Sequence, residues 1–439
     1  MSFLTKPFLG FVFAVEPIWL PLLILDLVTI AVLVFRERMD PRSLIFWIAT
    51  TVILPGLGVV LYLLFGCTLI SGRMFDRKRS QDEGLSFDGK RLSDSDGVFK
   101  GGNGVRAYWS LAEAVPDLVA DTEDSKETIH VMCRRLPRRP EFIDSLEAAA
   151  RSGKHVCLMT STYGFGRTQG LRRLRDAGVE FRTFRGKIIS IIAMRPANRN
   201  MRSMMVADGR IGYLFHDSVI RIEGPSASDM DMRFMADWAY ASGSECAPSA
   251  PCGASDSDVQ VSVESTGPDR GGMPDAENGL ADVISGTKSS LLIAAPYLTP
   301  NDDLYSHLKL AVFSGAEVFV LLPRRSNLWY QSWNSLAASN QLMMAGVRVF
   351  FTDSHTDRFI IMSDGSVCMM STGSLTSRSL RDDLNLRITV RSEDICSELV
   401  SHFRDELAAS AECHPEEYRR RSLMDVLKIA TSRMPMFLN

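Results

Sequence analysis

The residues best suited to bind phosphate are three arginines, Arg202, Arg358 and Arg378, which lie in or beside two short stretches that each carry an Asp-Gly pair. An arginine guanidinium pairs with two phosphoryl oxygens at once, so this residue type favours phosphate binding. The alternative is that all three are solvated charges on strand edges and turns. The sequence leaves both interpretations open.

Asp208 and Asp364 belong to those Asp-Gly pairs, in the tripeptides Ala-Asp-Gly and Ser-Asp-Gly. Apolar runs at Arg358–Met362 and Val367–Met370 flank the second pair and predict a β-hairpin. The first pair lies in a similar stretch. Asp-Gly is a favoured turn pair wherever it occurs, so we interpret both aspartates as turn residues rather than as catalytic groups.

The composition narrows the classes of function. The chain has 439 residues and a formal net charge of −3, which gives no general attraction for nucleic acid. It contains 8 Cys and 7 His, but no Cys-x2-Cys pair and no spacing typical of a metal-ligand set, so we predict neither a metal nor a cofactor. Cys246 and Cys252 share a loop and would pair only in an oxidising compartment; we interpret the cysteines as reduced thiols.

The elements that position these residues alternate between strands and helices, which predicts an α/β fold with a mostly parallel core. The order of strands, helices and hairpins is repeated after residue 258, which indicates an internal duplication and a pseudo-twofold pair of lobes. The predicted organisation is a membrane module over residues 1–70, a linker over 71–104, a first lobe over 105–244, a linker over 245–258, a second lobe over 259–411 and a basic amphipathic tail over 412–439.

Two apolar spans, Ile18–Phe35 and Leu44–Phe65, begin the chain, and each is about as long as a bilayer helix requires. They predict a transmembrane hairpin, with the lobes on the same side as the N-terminus. Charge counts do not settle that side, and the reduced thiols favour the cytoplasm. The tail begins with basic residues followed by apolar positions from Leu423 onward. It is expected either to lie on the membrane interface or to dock on the second lobe as an ordinary helix.

The text of the chain is similar to that of the bacterial cardiolipin synthases of the phospholipase D superfamily. FWIATTVILPGLGVVLYLLFG, which begins at Phe46, resembles their N-terminal membrane module through its W…P-x-x-G…Y-x-x-x-G pattern. Pro-Tyr-Leu-x-Pro at residues 296–300 and Arg-Ile-Glu-Gly-Pro at 221–225 resemble two further family segments. The resemblance covers about residues 16 to 439 and implies two phospholipase D-like lobes.

The family carries the motif His-x-Lys-x4-Asp once in each lobe, and the resemblance implies that the two histidines serve as nucleophile and general acid. In the first lobe the matching residues are Met201, Ser203 and Asp208, and in the second they are Asp357, Phe359 and Asp364. Further family positions fall on Ser374, where an asparagine is expected, and on Asn385 and Met132, where glutamates are expected. Both aspartates are retained, and both histidine–lysine pairs are lost.

Loss of both imidazoles removes the nucleophile and the proton donor of phosphodiester exchange. We therefore expect a membrane-anchored pseudoenzyme that binds anionic phospholipid, such as phosphatidylglycerol or cardiolipin, or that regulates an active paralogue or assembles as a homodimer. The alternative is an active phosphatidyltransferase with His355 as an unconventional nucleophile. His355 precedes Asp357 by two residues, which moves a side chain by roughly 6–7 Å along a strand. His216 is interpreted as a surface histidine, and a nuclease is disfavoured by the membrane module and the lack of a basic field.

Overall fold

The computed structural model describes residues 21–35, 41–66, 69–87, 90–134, 136–137, 139–160, 169–184, 200–243, 249, 253–270, 275–326, 329–354, 357–416 and 423–432. The described chain separates into two compact units. The first is built from the N-terminal residues up to Met74, and the second contains Phe75–Gly186 and Ala197–Ser432. Cys246 and Cys252, interpreted as reduced thiols, lie outside the described residues.

The N-terminal unit is helical. Its elements, followed by the helix that leads into the second unit, are α1 (residues 21–35), α2 (Pro41–Ile53), α3 (Leu57–Leu61), a π-helical turn (Tyr62–Gly66) and α4 (Leu69–Gly84). Trp47 and Tyr62 pack edge to face around buried Leu33. No helix within the described ranges is both long and apolar enough to cross a membrane.

The second predicted span, Leu44–Phe65, is not one helix. Pro55 has no N–H to continue the helical hydrogen bonds, and Gly56 adopts a left-handed conformation (φ 72°) that breaks the span. The side chain of Asp26 on α1 is buried and accepts a hydrogen bond from the Gly56 N–H (3.1 Å). The charge that interrupts the first span therefore satisfies the backbone where the second span is broken.

Residues 71–104, predicted to be a linker, contain most of α4 and then β1 (Ser86–Phe87), β2 (Lys90–Arg91) and α5 (Leu92–Ser95). Leu92 packs against Met232 and Ala236 of the first lobe. Residues 71–104 therefore contain regular elements. Helix α4 was not predicted because buried charges hold it, and its sequence lacks the apolar periodicity that marks most helices.

The first lobe begins at Phe99, before the predicted boundary. Its elements are β3 (Phe99–Tyr108), α6 (Leu111–Asp124), β4 (Thr128–Cys133), α7 (Pro140–Arg151), β5 (His155–Thr160), α8 (Gln169–Asp176), β6 (Glu180–Thr183), β7 (Met204–Ala207), β8 (Ile211–Phe215), β9 (Val219–Glu223) and α9 (Pro225–Ser242).

The second lobe repeats this order with insertions. Its elements are β10 (Val259–Thr266), a 3-10 turn (Pro268–Arg270), α10 (Asp275–Gly286), β11 (Ser290–Ala294), β12 (Leu298–Thr299), α11 (Asp302–Phe313), β13 (Glu317–Pro323), α12 (Trp329–Met344), β14 (Arg348–Thr352), β15 (Ile360–Ser363), β16 (Val367–Ser371), β17 (Leu375–Thr376), α13 (Ser377–Arg381), β18 (Asn385–Arg391), α14 (Glu393–Ala408) and β19 (Ala411–Glu412).

One sheet of 15 strands runs through both lobes, in the order β19-β14-β13-β11-β15-β16-β18-β10-β3-β9-β8-β7-β4-β5-β6. From the central pair outward, each lobe repeats the same arrangement, β3-β9-β8-β7-β4-β5-β6 in the first and β10-β18-β16-β15-β11-β13-β14 in the second. The predicted duplication is therefore present in the topology. The sheet is mixed, because only β4-β5-β6 and β11-β13-β14 pair in parallel.

Each lobe has an apolar core on one face of the sheet. In the first lobe Val131, Leu158 and Phe142 belong to this core, and in the second lobe Val320, Ile361 and Leu308 do. The opposite face is covered by α9 in the first lobe and by α14 in the second. Burial of these apolar side chains, on the strands and on the helices that cover them, stabilises the fold.

The C-terminal helix α15 (Leu423–Ser432) packs on α12. Ser432 accepts a hydrogen bond from the Asn334 amide at its carbonyl (3.0 Å) and donates one from its hydroxyl to Asn334 Oδ1 (2.8 Å). Ile429 is buried, whereas Met424 and Leu427 are exposed. The helix therefore docks through one face and leaves an apolar pair in solvent.

Candidate functional site

The first motif segment lies at the junction of the lobes, against residues 384–385 of the second lobe. Asn200, next to the first motif, forms an isolated parallel bridge with Leu384 of the second lobe. The Met201 N–H donates to the Leu384 carbonyl (2.8 Å), and Nε of Arg202 donates to the Asn385 carbonyl (3.3 Å). This junction places Met201, the first motif's histidine position, next to Asn385, where the family has a glutamate.

At the four positions of the family's histidines and lysines, the structure places groups that serve packing. Met201 is half-buried, and the Ser203 hydroxyl donates to the Met201 carbonyl (3.4 Å). The Asp357 N–H donates to the Asp217 carboxylate. Phe359 is 1% exposed and belongs to the apolar core of the second lobe. None of these side chains is an imidazole or an amine, so they supply neither a nucleophile nor a general acid of the family's kind.

Arg202 was predicted to bind phosphate, and in the structure its guanidinium is engaged by carboxylates. Its guanidinium is fully buried and pairs with two carboxylates, those of Asp237 (3.0 and 2.8 Å) and Asp269 (3.2 and 3.0 Å). Together with the bond to the Asn385 carbonyl, these contacts use both terminal nitrogens and Nε. The guanidinium that would have held a phosphate instead ties the first motif to neighbouring segments.

Arg202 is one member of a larger set, which we call the buried ion cluster. It contains three cations and three carboxylates, supplied by α4, the first motif, α9 and the turn after β10: Lys78, Asp82, Arg202, Arg233, Asp237 and Asp269. Lys78 Nζ lies 2.7 Å from Asp82, 2.8 Å from Asp237 and 3.3 Å from Asp269. Arg233 lies 2.8 Å from Asp82 and 2.6 Å from Asp237.

Asp237 lies at the centre of the buried ion cluster because it contacts all three cations. Burial alone would raise the pKa of this carboxyl, but the positive charges of Arg202, Arg233 and Lys78 outweigh burial and hold its pKa far below the usual range. The carboxylate is therefore ionised throughout the physiological range. The six formal charges sum to zero, which allows the cluster to be buried without a counterion.

Arg358 was also predicted to bind phosphate, and it too is engaged. Its Nε donates to the Trp109 carbonyl (3.0 Å), and a terminal nitrogen donates to Glu406 (2.8 Å). The guanidinium stacks on the Trp109 ring at 4.0 Å from its centre, a cation–π contact. Burial lowers the pKa of Arg358, against the opposing charge of Glu406. The residue fastens α14 to the first lobe.

Arg378 is half-buried in the first turn of α13, and its assignment to phosphate stays a prediction. The positions nearby are occupied by side chains that satisfy the backbone. Asn385 donates to the Ser379 carbonyl (2.7 Å), and the Ser374 N–H donates to the Ser379 hydroxyl (2.9 Å). Met132, where the family has a glutamate, is buried.

Asp208 and Asp364 occupy equivalent places in the two lobes. Each has a positive φ, 53° and 51°, and is followed by a glycine within the three-residue loop of its hairpin. Asp208 accepts hydrogen bonds from the N–H groups of residues 126, 127 and 128 (2.6, 2.9 and 2.9 Å). Asp364 accepts them from residues 288, 289 and 290 (2.8, 2.8 and 3.0 Å). Both carboxylates therefore cap the start of a neighbouring strand.

The cap makes the stability of the second lobe depend on pH in the acid range. Burial would raise the pKa of Asp364, but the Ser289 hydroxyl and the three backbone N–H groups outweigh it and lower the pKa to about 2. A depressed carboxyl pKa stabilises the fold above the unfolded value, and that stabilisation is lost as pH falls toward the folded value.

We therefore expect Asp364→Ala to lower the free energy of unfolding by about 1–2 kcal/mol at neutral pH, as for loss of a helix cap. The difference between parent and variant in urea unfolding should shrink as pH falls from about 4 to about 2. Asp353→Ala, which removes an exposed carboxylate paired with Arg324, is the control and should change neither quantity. A difference that is constant over this range would contradict the assignment.

Of the two histidines considered from the sequence, only His216 is among the described residues. His355 lies outside the described residues. His216 is half-buried near the end of β8, where its N–H donates to the Ser218 carbonyl (3.0 Å). The role of His355 as an unconventional nucleophile therefore stays a prediction.

Sequence reasoning missed a second group of residues, away from the junction. His130, His155 and Cys157 offer ligand atoms that all lie within 4.8 Å of one another, although no metal-ligand set was predicted. The available signal was His-x-Cys at the start of a predicted strand, because residues two apart on a strand share a face. His130 comes from a separate strand and has no sequence spacing that links it to the pair. None of the five described cysteines, Cys157 among them, forms a disulfide.

The chain is similar in sequence to known cardiolipin synthases. The family profile described as "Cardiolipin synthase, PLD-like domain" matches residues 280–407. The "Major cardiolipin synthase ClsA" of Bacillus subtilis (strain 168) is 25% identical over 468 residues, which cover 94% of this chain and 96% of that protein. A "Cardiolipin synthase" of Staphylococcus aureus (strain Mu50) is 24% identical over 473 residues and covers 94% of each chain.

A solved structure supports the fold. The crystal structure of phosphatidylserine synthase from Haemophilus influenzae Rd KW20 matches with a TM-score of 0.54 and 10% identity, over 83% of this chain and 98% of that chain. Similarity at this level of identity concerns the fold alone. Residues 280–407 thus match the cardiolipin synthase, PLD-like domain, and the chain is similar to cardiolipin synthases over nearly its whole length.

Proposed function

We propose that this protein is a membrane-anchored pseudoenzyme of phospholipid metabolism, which binds anionic phospholipid or regulates an active paralogue. The observation that carries the proposal is the chemistry of the motif positions: Met201, Ser203, Asp357 and Phe359 replace both histidine–lysine pairs. A phosphohistidine mechanism needs an imidazole to attack phosphorus and a second one to protonate the leaving group.

The structure gives this replacement a physical basis. In an active site, a retained cation next to the motif would stabilise phosphoryl charge. Arg202 is instead compensated by Asp237 and Asp269, and Arg358 by Glu406. Phe359 fills the core where an amine would have to point. These contacts support loss of the chemistry with retention of the scaffold.

Membrane association is supported by the N-terminal unit. Large apolar side chains are exposed along α1 and in the segments that follow it, among them Leu27, Phe35, Ile45, Ile53 and Leu63. Apolar surface of this extent is typical of a segment in contact with lipid or with a partner. We propose that this unit is the membrane module of a multi-pass anchor, with the lobes on the cytoplasmic side.

The test is transferase activity of the full-length protein on phosphatidylglycerol vesicles, with the B. subtilis relative as the positive control. We expect cardiolipin formation at least about 10⁴-fold below the control, because no nucleophile of the family's kind is present. We expect binding to phosphatidylglycerol vesicles in preference to phosphatidylcholine vesicles, or co-purification of an active paralogue.

A His355→Ala variant is assayed in parallel. Product from the parent that disappears in this variant would overturn the proposal and favour the active-enzyme alternative. Absence of product, of lipid preference and of any paralogue would also overturn it, because no role in phospholipid metabolism would then remain.

A further inference from the structure

Three adjacent strands of the first lobe place metal-binding side chains on one face of the sheet. His130 on β4 lies directly opposite Cys157 on β5, and Cys157 lies opposite Glu180 on β6. His155 precedes Cys157 by two residues and so points to the same face. This face is the one covered by α9, since His130 stacks on Phe234 at 4.7 Å.

The distances approach those of a tetrahedral metal site. The Cys157 sulfur lies 3.7 Å from Nδ1 of His155, and all three ligand atoms lie within 4.8 Å of one another. Two ligands of a zinc ion, at about 2.3 Å for sulfur and about 2.0 Å for nitrogen, are separated by roughly 3.6 Å at the tetrahedral angle. Contraction by about 1 Å would therefore complete the geometry.

Each histidine is held by a carboxylate. His130 Nδ1 lies 2.6 Å from Asp231, and His155 Nε2 lies 3.0 Å from Glu180. A carboxylate on one ring nitrogen fixes the tautomer that carries its lone pair at the other nitrogen. This arrangement recurs at metal-binding histidines, where it orients the ring and raises its basicity.

The second lobe shows that the fold does not require these residues. Alignment of the two capped strands, with Thr128 equivalent to Ser290, places Leu292, Glu317, Phe319 and Arg348 at the corresponding positions. There the Arg348 guanidinium packs over the Phe319 ring at 5.0 Å. The same surface can thus be filled by an ordinary cation–π contact, so the histidine–thiol set is particular to the first lobe.

We propose that His130, His155 and Cys157 bind one zinc ion, with a fourth position open to water. Two nitrogens and one thiolate match the preference of zinc, whereas magnesium and calcium prefer oxygen. Binding releases the proton of the Cys157 thiol to solvent. The ion fastens β4 to β5, close to β6 at the edge of the sheet. The inference is independent of the proposed function.

The experiment uses the full-length chain in detergent, without a histidine tag. Zinc is titrated in competition with a chromophoric chelator, and the Co²⁺ form is examined for a thiolate-to-metal absorption band. We expect one zinc per chain in the parent. Cys157→Ser should abolish the Co²⁺–thiolate band and weaken zinc binding, whereas Cys133→Ser, which removes a buried thiol of β4, should leave both unchanged.

Two further variants keep the test decisive if Cys157→Ser does not fold. His155→Ala changes a side chain that is 47% exposed, so it should fold and lose zinc affinity. Asp231→Asn should weaken affinity by about 10- to 100-fold while leaving the ligands in place. A parent that does not compete with the chelator, or a His155→Ala variant with parental affinity, would overturn the proposal.

Discussion

Asp237→Ala is expected to lower the free energy of unfolding by at least about 3–5 kcal/mol, the cost of removing one partner from a buried ion pair. The carboxylate contacts Lys78, Arg202 and Arg233, all of them buried. Without it, three positive charges would face two carboxylates in a site closed to water. A loss of this size is a large share of the stability of an ordinary domain.

The measurement is the midpoint of urea unfolding, together with the yield of folded chain. Asp144→Ala is the matched control, because that carboxylate is 57% exposed and pairs with Arg173 at the surface. Such pairs contribute about 0–1 kcal/mol, so the control should unfold close to the parent. Equal midpoints for the two variants would show that the buried ion cluster does not hold the fold together.

Phe359→Lys, which restores the lysine of the family's second motif, is expected to destabilise the protein rather than to move it toward catalysis. Loss of a buried phenylalanine alone costs about 3–5 kcal/mol, and an ammonium placed in the apolar core adds a desolvation cost. A buried lysine has a lowered pKa. The variant should therefore regain stability relative to Phe359→Met as pH rises from about 7 to about 10.

Phe313→Lys is the control, since Phe313 is 70% exposed on α11 and its replacement should change the unfolding midpoint little at either pH. A Phe359→Lys variant with parental stability at pH 7 would contradict the prediction. It would mean that the core opens to water at this position, as a working active site would require.

Much of the fold was predictable because its signals are local. Apolar runs around the Asp-Gly pairs predicted the hairpins, and alternating strands and helices predicted an α/β fold; the structure confirms both. The repeated order of elements predicted the duplication. The prediction of one continuous helix over Leu44–Phe65 was wrong, because Pro55 and Gly56 break the helix. Helix α4 was missed because its anchoring partners, Asp237 and Asp269, lie far away in sequence.

The candidate site was less predictable, because its contacts join residues that lie far apart in the sequence. The absence of both histidine–lysine pairs was readable directly from the sequence. The roles of Arg202 and Arg358 were not, because a guanidinium on a strand binds either phosphate or a distant carboxylate, and only the fold brings the carboxylates within reach. The grouping of His130 with Cys157 likewise depends on which strands are neighbours and in what register.

The single sheet through both lobes has a mechanical consequence. Residues 99–103 of β3 pair with residues 259–262 of β10, so the junction is closed by main-chain hydrogen bonds rather than by a flexible connection. A hinge motion that separates the two lobes would break these main-chain hydrogen bonds, and the ion pairs of the buried ion cluster would oppose the same motion. The two lobes are therefore expected to keep one relative orientation, which makes the junction a preformed surface rather than one that closes.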